Sequence, residues 1–168
     1  MRRALACRAL LFLVLVPGTV TFLVPYLVLS GAGRWRPAAP GASSVGAAAL
    51  VILGAGVLLR CVWEFFAVGR GTLAPVDPPR ELVVTGLYRY TRNPMYNGVL
   101  AMLAGEAWLF GSVGLAGYAL AAWLILHAVV ALYEERTLDA RFEDSYRAYR
   151  RAVPRWGFTV HPYRGTRR

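Results

Sequence analysis

Lysine is absent from this 168-residue chain, and all 19 of its basic residues are arginine. Cysteine and histidine are scarce too, with two of each. Cys7 and Cys61 lie in or beside apolar segments at a separation that suits no metal site, so we read both as small residues of membrane helices. Because no set of metal ligands and no Ser, Cys or His nucleophile set is visible, the sequence predicts no metal site.

Acidic residues are also few, 9 against 19 basic ones, which gives a net charge of +10. Such a balance suits binding to nucleic acid or anionic lipid, or the topology signals of a membrane protein. The chain is 57% hydrophobic with a mean hydropathy of +0.45, too apolar for an ordinary soluble domain. Because the arginines lie between apolar runs, we predict a membrane protein with no nucleic-acid partner. The absence of lysine, together with abundant Ala, Gly and Arg, indicates a GC-rich bacterial genome. For a bacterial membrane protein of this kind, we expect the inner membrane as its location.

Four apolar runs predict an all-α fold, a single polytopic membrane domain over residues 1–168 with about four transmembrane helices. A run of ~20 residues crosses the ~30 Å hydrocarbon layer. Pro17 and Pro25 should kink the first run, for which a cleaved signal peptide is the alternative. Only Gly111 and Ser112 separate the last two runs, so these should form a tight helical hairpin. The predicted spans are residues 9–29, 45–68, 95–110 and 113–132.

Arginines are abundant at the N-terminus, in the central loop and in the tail, whereas the hairpin tip has none. The positive-inside rule therefore predicts that both termini are cytosolic. After the fourth run, the apolar spacing predicts an amphipathic cytosolic helix over residues 134–152, ended by Pro154. We expect the tail from Trp156 to Arg168 to be an interfacial anchor or a frayed end. The apolar face carries Leu138, Phe142, Tyr146, Tyr149 and Val153, and the opposite face carries Arg141, Arg147, Arg150 and Arg151.

A polar segment rich in arginine and aromatic residues, residues 85–98, lies between the second and third apolar runs. Asn93 suits the N-cap of a helix and Pro94 its first position, so the segment should end by starting a membrane helix. A helix N-terminus favours anions, and guanidinium groups add paired donors for a carboxylate or phosphate. The alternative is a positive-inside flank before an ordinary helix start. The residues so placed are Tyr88, Arg89 and Arg92 outside the helix, and Tyr96 and Gly98 in its first turn.

Few ionisable side chains fall inside the apolar runs, and each is a candidate for function or for a structural role. Arg60 and Glu64 lie four residues apart near the end of the second run, where they either neutralise each other or reach the mouth of a site. Glu106 lies near the hairpin tip, within reach of the far interface, and His127 lies in the fourth run. We interpret Gly54-Ala55-Gly56 as helix packing, because no strand precedes it to form a nucleotide loop.

Glu134 and Glu135 lie where the fourth run meets water. Negative charge at a helix C-terminus opposes the macrodipole, so a solvated pair with a purely structural role is a weak explanation. With the nearby arginines and tyrosines, the two glutamates complement S-adenosylmethionine. An arginine would bind its carboxylate, a glutamate its ribose hydroxyls and an aromatic wall its adenine. The candidates are Arg89 or Arg92, then Glu134 or Glu135, and then Tyr88, Tyr96 or Trp156.

Four motifs, spread over about half of the chain, together resemble one superfamily. They are GLYRYTRNPMYNG at residues 86–98, YEE at 133–135, YRAY at 146–149 and VPRW at 153–156. Their combination is similar to the isoprenylcysteine carboxyl methyltransferase and phospholipid methyltransferase superfamily of integral membrane enzymes. Asn93 stands where members typically have histidine, a form more like the phospholipid N-methyltransferase branch than enzymes acting on prenylcysteine. The resemblance implies S-adenosylmethionine as cofactor and a lipid or lipid-like acceptor, methylated at a carboxyl or an amine.

The resemblance also implies an in-line methyl transfer, with the cofactor at the cytosolic side and the acceptor arriving through the membrane. Two alternatives stay open. One is a membrane NADPH-dependent reductase of the sterol reductase type, which shares a related motif. The other is a non-catalytic membrane protein whose arginine-rich tail binds lipid. The resemblance implies a site without a metal, in which Arg92 and Glu135 have catalytic roles. The residues that it implies for cofactor binding are Tyr88, Arg92, Asn93, Pro94, Tyr96, Gly98, Glu134 and Glu135.

Overall fold

A computed structural model describes residues 15–33, 41–68 and 82–165, without the side chains of residues 65–68. All regular structure in these ranges is helical, which confirms the predicted all-α class. The predictions for Cys7, the start of the first apolar run and the central loop at 69–81 lie outside the described residues. The helices are α1 (Val24–Gly31), α2 (Ala42–Val68), α3 (Pro94–Leu109), α4 (Val113–Val129) and α5 (Glu135–Ala152), with π-helical turns at Thr19–Leu23 and Val130–Glu134 and a 3₁₀ turn at Gly86–Arg89.

Two helical stretches of the described chain are long and apolar enough to cross a membrane. They are Ala42–Glu64 and the continuous stretch Val113–Ala152. Large apolar side chains point outward from both, since Ile52 is 70% exposed and Ile125 is 64% exposed. A contiguous apolar surface of this kind suits contact with lipid. These two stretches agree with the second and fourth predicted spans, and the count of four spans stays a prediction.

Helices α2 and α3 pack antiparallel at very short range, because glycines remove the side chains that would separate them. A Cβ added at Gly98 would lie 2.8 Å from the carbonyl oxygen of Gly54, and one at Gly105 would lie 2.9 Å from that of Ala47. Gly54 is therefore a helix-packing residue, as interpreted from the sequence. The antiparallel contact brings the end of α2 that carries Glu64 beside the start of α3. The adjacent core consists of Leu58, Val99, Met102 and Leu103.

The first apolar run contains a π-helical turn, Thr19–Leu23, between Pro17 and Pro25, and the kink that these prolines predict stays a prediction. The N–H of Val24 donates to the carbonyl oxygen of Thr19, five residues back, and so bypasses the carbonyl of Val20. Tyr118 of α4 supplies the missing donor, with its hydroxyl 3.0 Å from the Val20 oxygen. A side chain of a neighbouring helix thus satisfies the carbonyl that the irregular turn leaves open.

The connection between α3 and α4 is as tight as the sequence predicts. Gly111 adopts a φ of +54°, a conformation that glycine reaches without steric cost. The side chain of Ser112 then accepts a hydrogen bond of 3.3 Å from the N–H of Leu115 and caps α4. The two helices therefore form a hairpin.

The fourth apolar run and the tail helix form one continuous helical stretch, although the sequence predicts two elements. The π-helical turn Val130–Glu134 joins α4 to α5 without a loop. Because a π turn holds an extra residue, it rotates the side chains that follow it relative to α4. Helix α5 itself breaks at Glu143, whose φ of 44° and ψ of −119° are not helical. Glu143 is the one non-glycine residue with a positive φ in the described chain.

We expect Glu143→Gly to stabilise the protein by about 1 kcal/mol, because glycine adopts a positive φ without the clash of a Cβ. The exposed residue Ala140, in the regular part of the same helix, provides the control. There, Ala140→Gly should destabilise by about 1 kcal/mol. Thermal unfolding in detergent, followed by circular dichroism, measures both changes. Equal destabilisation by the two variants would contradict the strain at Glu143.

Candidate functional site

The motif segment, residues 86–98, begins with a turn in which a side chain has no room. Gly86 has a φ of +54°, and a Cβ added there would overlap the carboxylate of Glu64. Glu64 is only 7% exposed, and neither of its carboxylate oxygens has a hydrogen-bond partner within the described chain. Arg60 Nε lies 3.1 Å from Glu64 Oε1, outside hydrogen-bond geometry, and its side chain is 57% exposed. The predicted pair of Arg60 and Glu64 is therefore present. The Glu64 carboxylate lies against the turn that leads to Tyr88.

Asn93 precedes α3 as predicted, but its side chain does not cap the helix. Its amide donates instead to the carbonyl oxygen of Arg155 at 3.1 Å. Pro94 occupies the first turn as predicted, and the backbone N–H of Asn97 closes that turn on the Asn93 carbonyl at 3.0 Å. Asn93 therefore connects the start of α3 to the C-terminal tail.

The C-terminal tail runs along the motif segment and is bonded to its backbone. The N–H of Thr159 donates to the carbonyl oxygen of Tyr90, and the N–H of Tyr163 to that of Arg89, each at 2.9 Å. Arg89 Nε in turn donates to the carbonyl oxygen of Tyr163 at 2.9 Å. The tail is thus not a frayed end as far as Tyr163, contrary to one of the two expectations. Arg89, a candidate for a ligand carboxylate, is engaged by the tail.

Glu135 lies between two guanidinium groups. Arg92 Nη1 donates to its Oε1 at 2.8 Å, while Arg155 donates from Nε to Oε1 at 2.6 Å and from Nη2 to Oε2 at 2.8 Å. Burial opposes ionisation, but the hydrogen bond from Arg155 and the charges of both arginines hold the pKa of Glu135 below its usual value. Glu135 is therefore anionic at neutral pH, and its contribution to stability is lost only as the pH falls through that lowered pKa.

Glu134 contacts a different partner, because adjacent residues of a helix point about 100° apart. The hydroxyl of Tyr96, in the first turn of α3, donates to Glu134 Oε1 at 2.5 Å. This is the one side-chain hydrogen bond that Glu134 receives from the described residues. The two adjacent glutamates therefore differ. Both carboxylate oxygens of Glu135 accept hydrogen bonds from arginine, whereas Glu134 can still accept further hydrogen bonds.

A cavity of about 660 Å³, including the space at its open mouth, lies between the motif segment, the second π-helical turn and α5. The Arg92 side chain reaches its wall and is 10% exposed, and its Nε–H has no hydrogen-bond partner within the described chain. Leaving a buried donor unpaired is costly, so this group marks a place for an anionic ligand. The other charged residues of the wall are Glu134 and Glu135.

Of the eight residues that the resemblance implies for cofactor binding, the structure brings five to this cavity and three elsewhere. Pro94 is buried at the start of α3, and Gly98 packs against α2. Tyr96 is connected to the cavity by its hydrogen bond to Glu134. Trp156, a candidate for the adenine wall, donates instead to His127 Nδ1 at 3.0 Å. The five at the cavity are Tyr88, Arg92, Asn93, Glu134 and Glu135.

Sequence reasoning did not assign Tyr146, Tyr149 and Arg155 to the site. Tyr146 receives a hydrogen bond of 3.2 Å from Arg92 Nη1, and the Tyr149 hydroxyl donates to the carbonyl oxygen of Tyr88 at 2.6 Å. Burial raises the pKa of both Tyr88 and Tyr149, so these phenols are neutral at physiological pH. The two tyrosines of α5 lie on its predicted apolar face, which was the available signal. Arg155 lies in the VPRW motif, which was the signal available for it.

The described residues contain no group of three or more His, Cys, Asp or Glu side chains arranged to hold a metal ion. A family profile described as phospholipid methyltransferase matches residues 43–145, more than half of the chain. The chain therefore belongs to the phospholipid methyltransferase family, within the isoprenylcysteine and phospholipid methyltransferase superfamily of integral membrane enzymes. No curated protein and no solved structure matches it. The resemblance found in the motifs is confirmed, and the protein is a membrane methyltransferase by family.

We expect Gly86→Ala to destabilise the protein by about 3 kcal/mol, because it adds an overlap with Glu64 to the strain of a positive φ. Gly157 is the matched control, since its φ is +71° and a Cβ there would meet nothing within 4 Å. Gly157→Ala should cost only the strain, about 1 kcal/mol. Thermal unfolding in detergent compares the two. In a Glu64→Ala background the cost of Gly86→Ala should fall to that of the control, and an unchanged cost would contradict the contact.

Proposed function

We propose that this protein transfers a methyl group from S-adenosylmethionine to the headgroup of a phospholipid or lipid-like acceptor, at an amine or a carboxyl. The observation that carries the proposal is the place of Arg92 in the wall of the cavity, with a buried Nε–H that has no partner among the described residues. Family membership supports the reaction class and a lipid acceptor. The donor is inferred from the fit of its groups to the residues of the cavity.

Each part of the donor has a complementary group in the cavity. The carboxylate of S-adenosylmethionine would accept from Arg92 Nε–H, and its ribose hydroxyls would donate to Glu134. The apolar and aromatic side chains of α5 suit its adenine. When bound, S-adenosylmethionine supplies a methyl group on a sulfonium sulfur, which leaves as a neutral thioether. The α5 residues that form this wall are Leu138, Phe142, Tyr146 and Tyr149.

Glu135 has a positioning role in this proposal. Its oxygens already accept from Arg92 and Arg155, so they are engaged before any ligand arrives. By pairing with Arg92, the carboxylate fixes the direction of the Arg92 Nε–H. It also offsets part of the positive charge of Arg92 and Arg155, which would otherwise repel the positive sulfonium more strongly. We therefore assign to Glu134 the contact with the donor, and to Glu135 the orientation of Arg92.

Catalysis in such a site comes from alignment and the exclusion of water. The attacking atom of the acceptor forms a bond to the methyl carbon while the bond from that carbon to sulfur breaks. The described residues of the cavity wall would hold the methyl donor so that its sulfur and methyl carbon lie in line with the attacking atom. An amine acceptor additionally loses a proton, and Glu134 is the acidic residue at the cavity with capacity to accept one.

The acceptor is proposed to reach the cavity from the membrane. Trp108 donates to Ser43 Oγ at 3.1 Å at one end of α2, and Trp63, 63% exposed, lies at the other. Twenty residues of helix separate Ser43 from Trp63, about 30 Å, which matches the hydrocarbon thickness between two tryptophan belts. This spacing supports a bilayer-spanning α2 with the cavity near the Trp63 interface. We propose that this interface is the cytosolic side of a bacterial inner membrane, where both termini lie.

We expect S-adenosylhomocysteine to bind the purified protein in detergent, and Arg92→Ala and Glu134→Gln each to weaken binding about tenfold or more. Each change removes a hydrogen bond to a charged group, which contributes about 1.5–3 kcal/mol. Isothermal titration calorimetry measures the affinities. Arg164→Ala is the control for loss of positive charge, because Arg164 is exposed and should leave binding unchanged.

The same titration separates the proposal from its alternatives. Binding of NADPH but not of S-adenosylhomocysteine would favour a reductase, an activity that the family profile does not support. Binding of neither would favour a non-catalytic membrane protein. Equal affinity for S-adenosylhomocysteine in Arg92→Ala, Glu134→Gln and the unmodified protein would remove the assigned site.

A further inference from the structure

His127 lies inside an apolar helix, yet its imidazole is held in a defined chemical state. The indole N–H of Trp156 donates to His127 Nδ1 at 3.0 Å. Indole nitrogen only donates, so Nδ1 accepts and the ring proton of the neutral imidazole is on Nε2. The tail that carries Trp156 is itself fixed by its bonds to the motif segment. His127 therefore presents one oriented N–H donor.

Two tryptophans flank this imidazole. The His127 ring lies 6.1 Å from that of Trp156 in a stacked arrangement, and 5.5 Å from the tilted ring of Trp123. Trp123 is 38% exposed, and the helix surface on the side of His127 is apolar, with Leu120 58% and Leu124 54% exposed. A hydrogen-bond donor is costly in such a surface unless something binds it. Tryptophan pairs of this kind are typical of the membrane interface, where lipid headgroups lie.

The position of His127 on α4 relates it to the cavity. Trp123, His127 and Val130 are spaced at i, i+4 and i+7, which is one face of a helix, and Glu134 follows at the end of the π-helical turn. Val130 and Glu134 line the cavity. The helical rise places Val130 about 4.5 Å and Glu134 about 10 Å beyond His127. One stripe therefore runs from the lipid-facing surface to the cavity.

We propose that Trp123, His127 and Trp156 form the binding site for the phosphate of the acceptor phospholipid, with His127 Nε2–H donating to a phosphate oxygen. The role of this site rests on the proposed function, because the site would align the acceptor phospholipid along the stripe. The acyl chains lie beside Trp123, the phosphate lies at His127, and the headgroup extends past Val130 toward Glu134. A lipid phosphate is the source, because the site opens on an apolar helix face instead of on water.

The test measures lipid binding without requiring turnover. Native mass spectrometry of the full-length protein in detergent follows titration with phosphatidylethanolamine, and with diacylglycerol as a lipid without phosphate. We expect His127→Phe, which keeps an aromatic ring but removes the donor, to weaken binding of phosphatidylethanolamine about tenfold. Binding of diacylglycerol should not change. His127→Gln, which keeps an N–H donor, should recover part of the affinity.

His161, the other histidine of the chain, is exposed and provides the matched control. His161→Phe should leave phosphatidylethanolamine binding unchanged. Trp156→Phe keeps the stacked ring and removes the bond to Nδ1, so it should weaken binding by a smaller factor than His127→Phe. Inorganic phosphate at millimolar concentration should not compete with the lipid. Competition by free phosphate would overturn the assignment to a lipid headgroup.

Wild-type affinity for phosphatidylethanolamine in His127→Phe would overturn the proposal, as would an equal loss of diacylglycerol binding. Calorimetry with S-adenosylhomocysteine on the same variants distinguishes this outcome from failure of the proposed function. We expect the affinity for S-adenosylhomocysteine to stay unchanged in His127→Phe. A protein that does not bind S-adenosylhomocysteine but still loses lipid affinity in His127→Phe would disprove the donor site and leave the phosphate site supported.

Discussion

The buried carboxylate of Glu135 joins three parts of the chain that are distant in sequence. Arg92 comes from the motif segment, Arg155 from the C-terminal tail, and Glu135 from the start of α5. Each arginine lowers the cost of burying the charge, and removing Glu135 would leave two guanidinium groups without their counter-charge. The rest of the site depends on this arrangement. It directs Arg92 along the cavity wall, fixes the tail beside the motif, and leaves Glu134 with Tyr96 as its partner.

Three irregular backbone segments adjoin the cavity. The turn at Gly86 leads to Tyr88, and the π-helical turn carries Val130 and Glu134. The break at Glu143 lies between the cavity residues of the two halves of α5. Regular helices project side chains at fixed angles, so a π turn or a break is a means of redirecting them toward one ligand. The glycine contacts of α2 with α3 are regular by contrast and set the rigid frame on which this end is built.

The division of roles between the two adjacent glutamates has a parallel on α4. In the proposed site, Glu135 is occupied by arginines and orients the Arg92 N–H, whereas Glu134 has capacity to accept from a ligand. On α4, Trp156 occupies one nitrogen of His127 and thereby orients the other. In both cases a neighbour fixes one polar group so that a second group points in a defined direction. Such preorganisation would suit the proposed reaction, since an in-line methyl transfer tolerates little misplacement.

Local periodicity and turn chemistry were enough to predict the helical class, the hairpin at Gly111 and Ser112, and the face of α5 that carries Tyr146 and Tyr149. These features depend on residues close in sequence. The role of Asn93, the partner of Arg89 and the packing of Gly98 were not accessible in this way, because each depends on a contact with a residue more than 40 positions away. The sequence alone established which residue types were present for binding an anion and a hydroxyl. Only the tertiary structure decided which guanidinium keeps an unpaired N–H and which glutamate is already bound, because hydrogen bonds between distant segments consume the others.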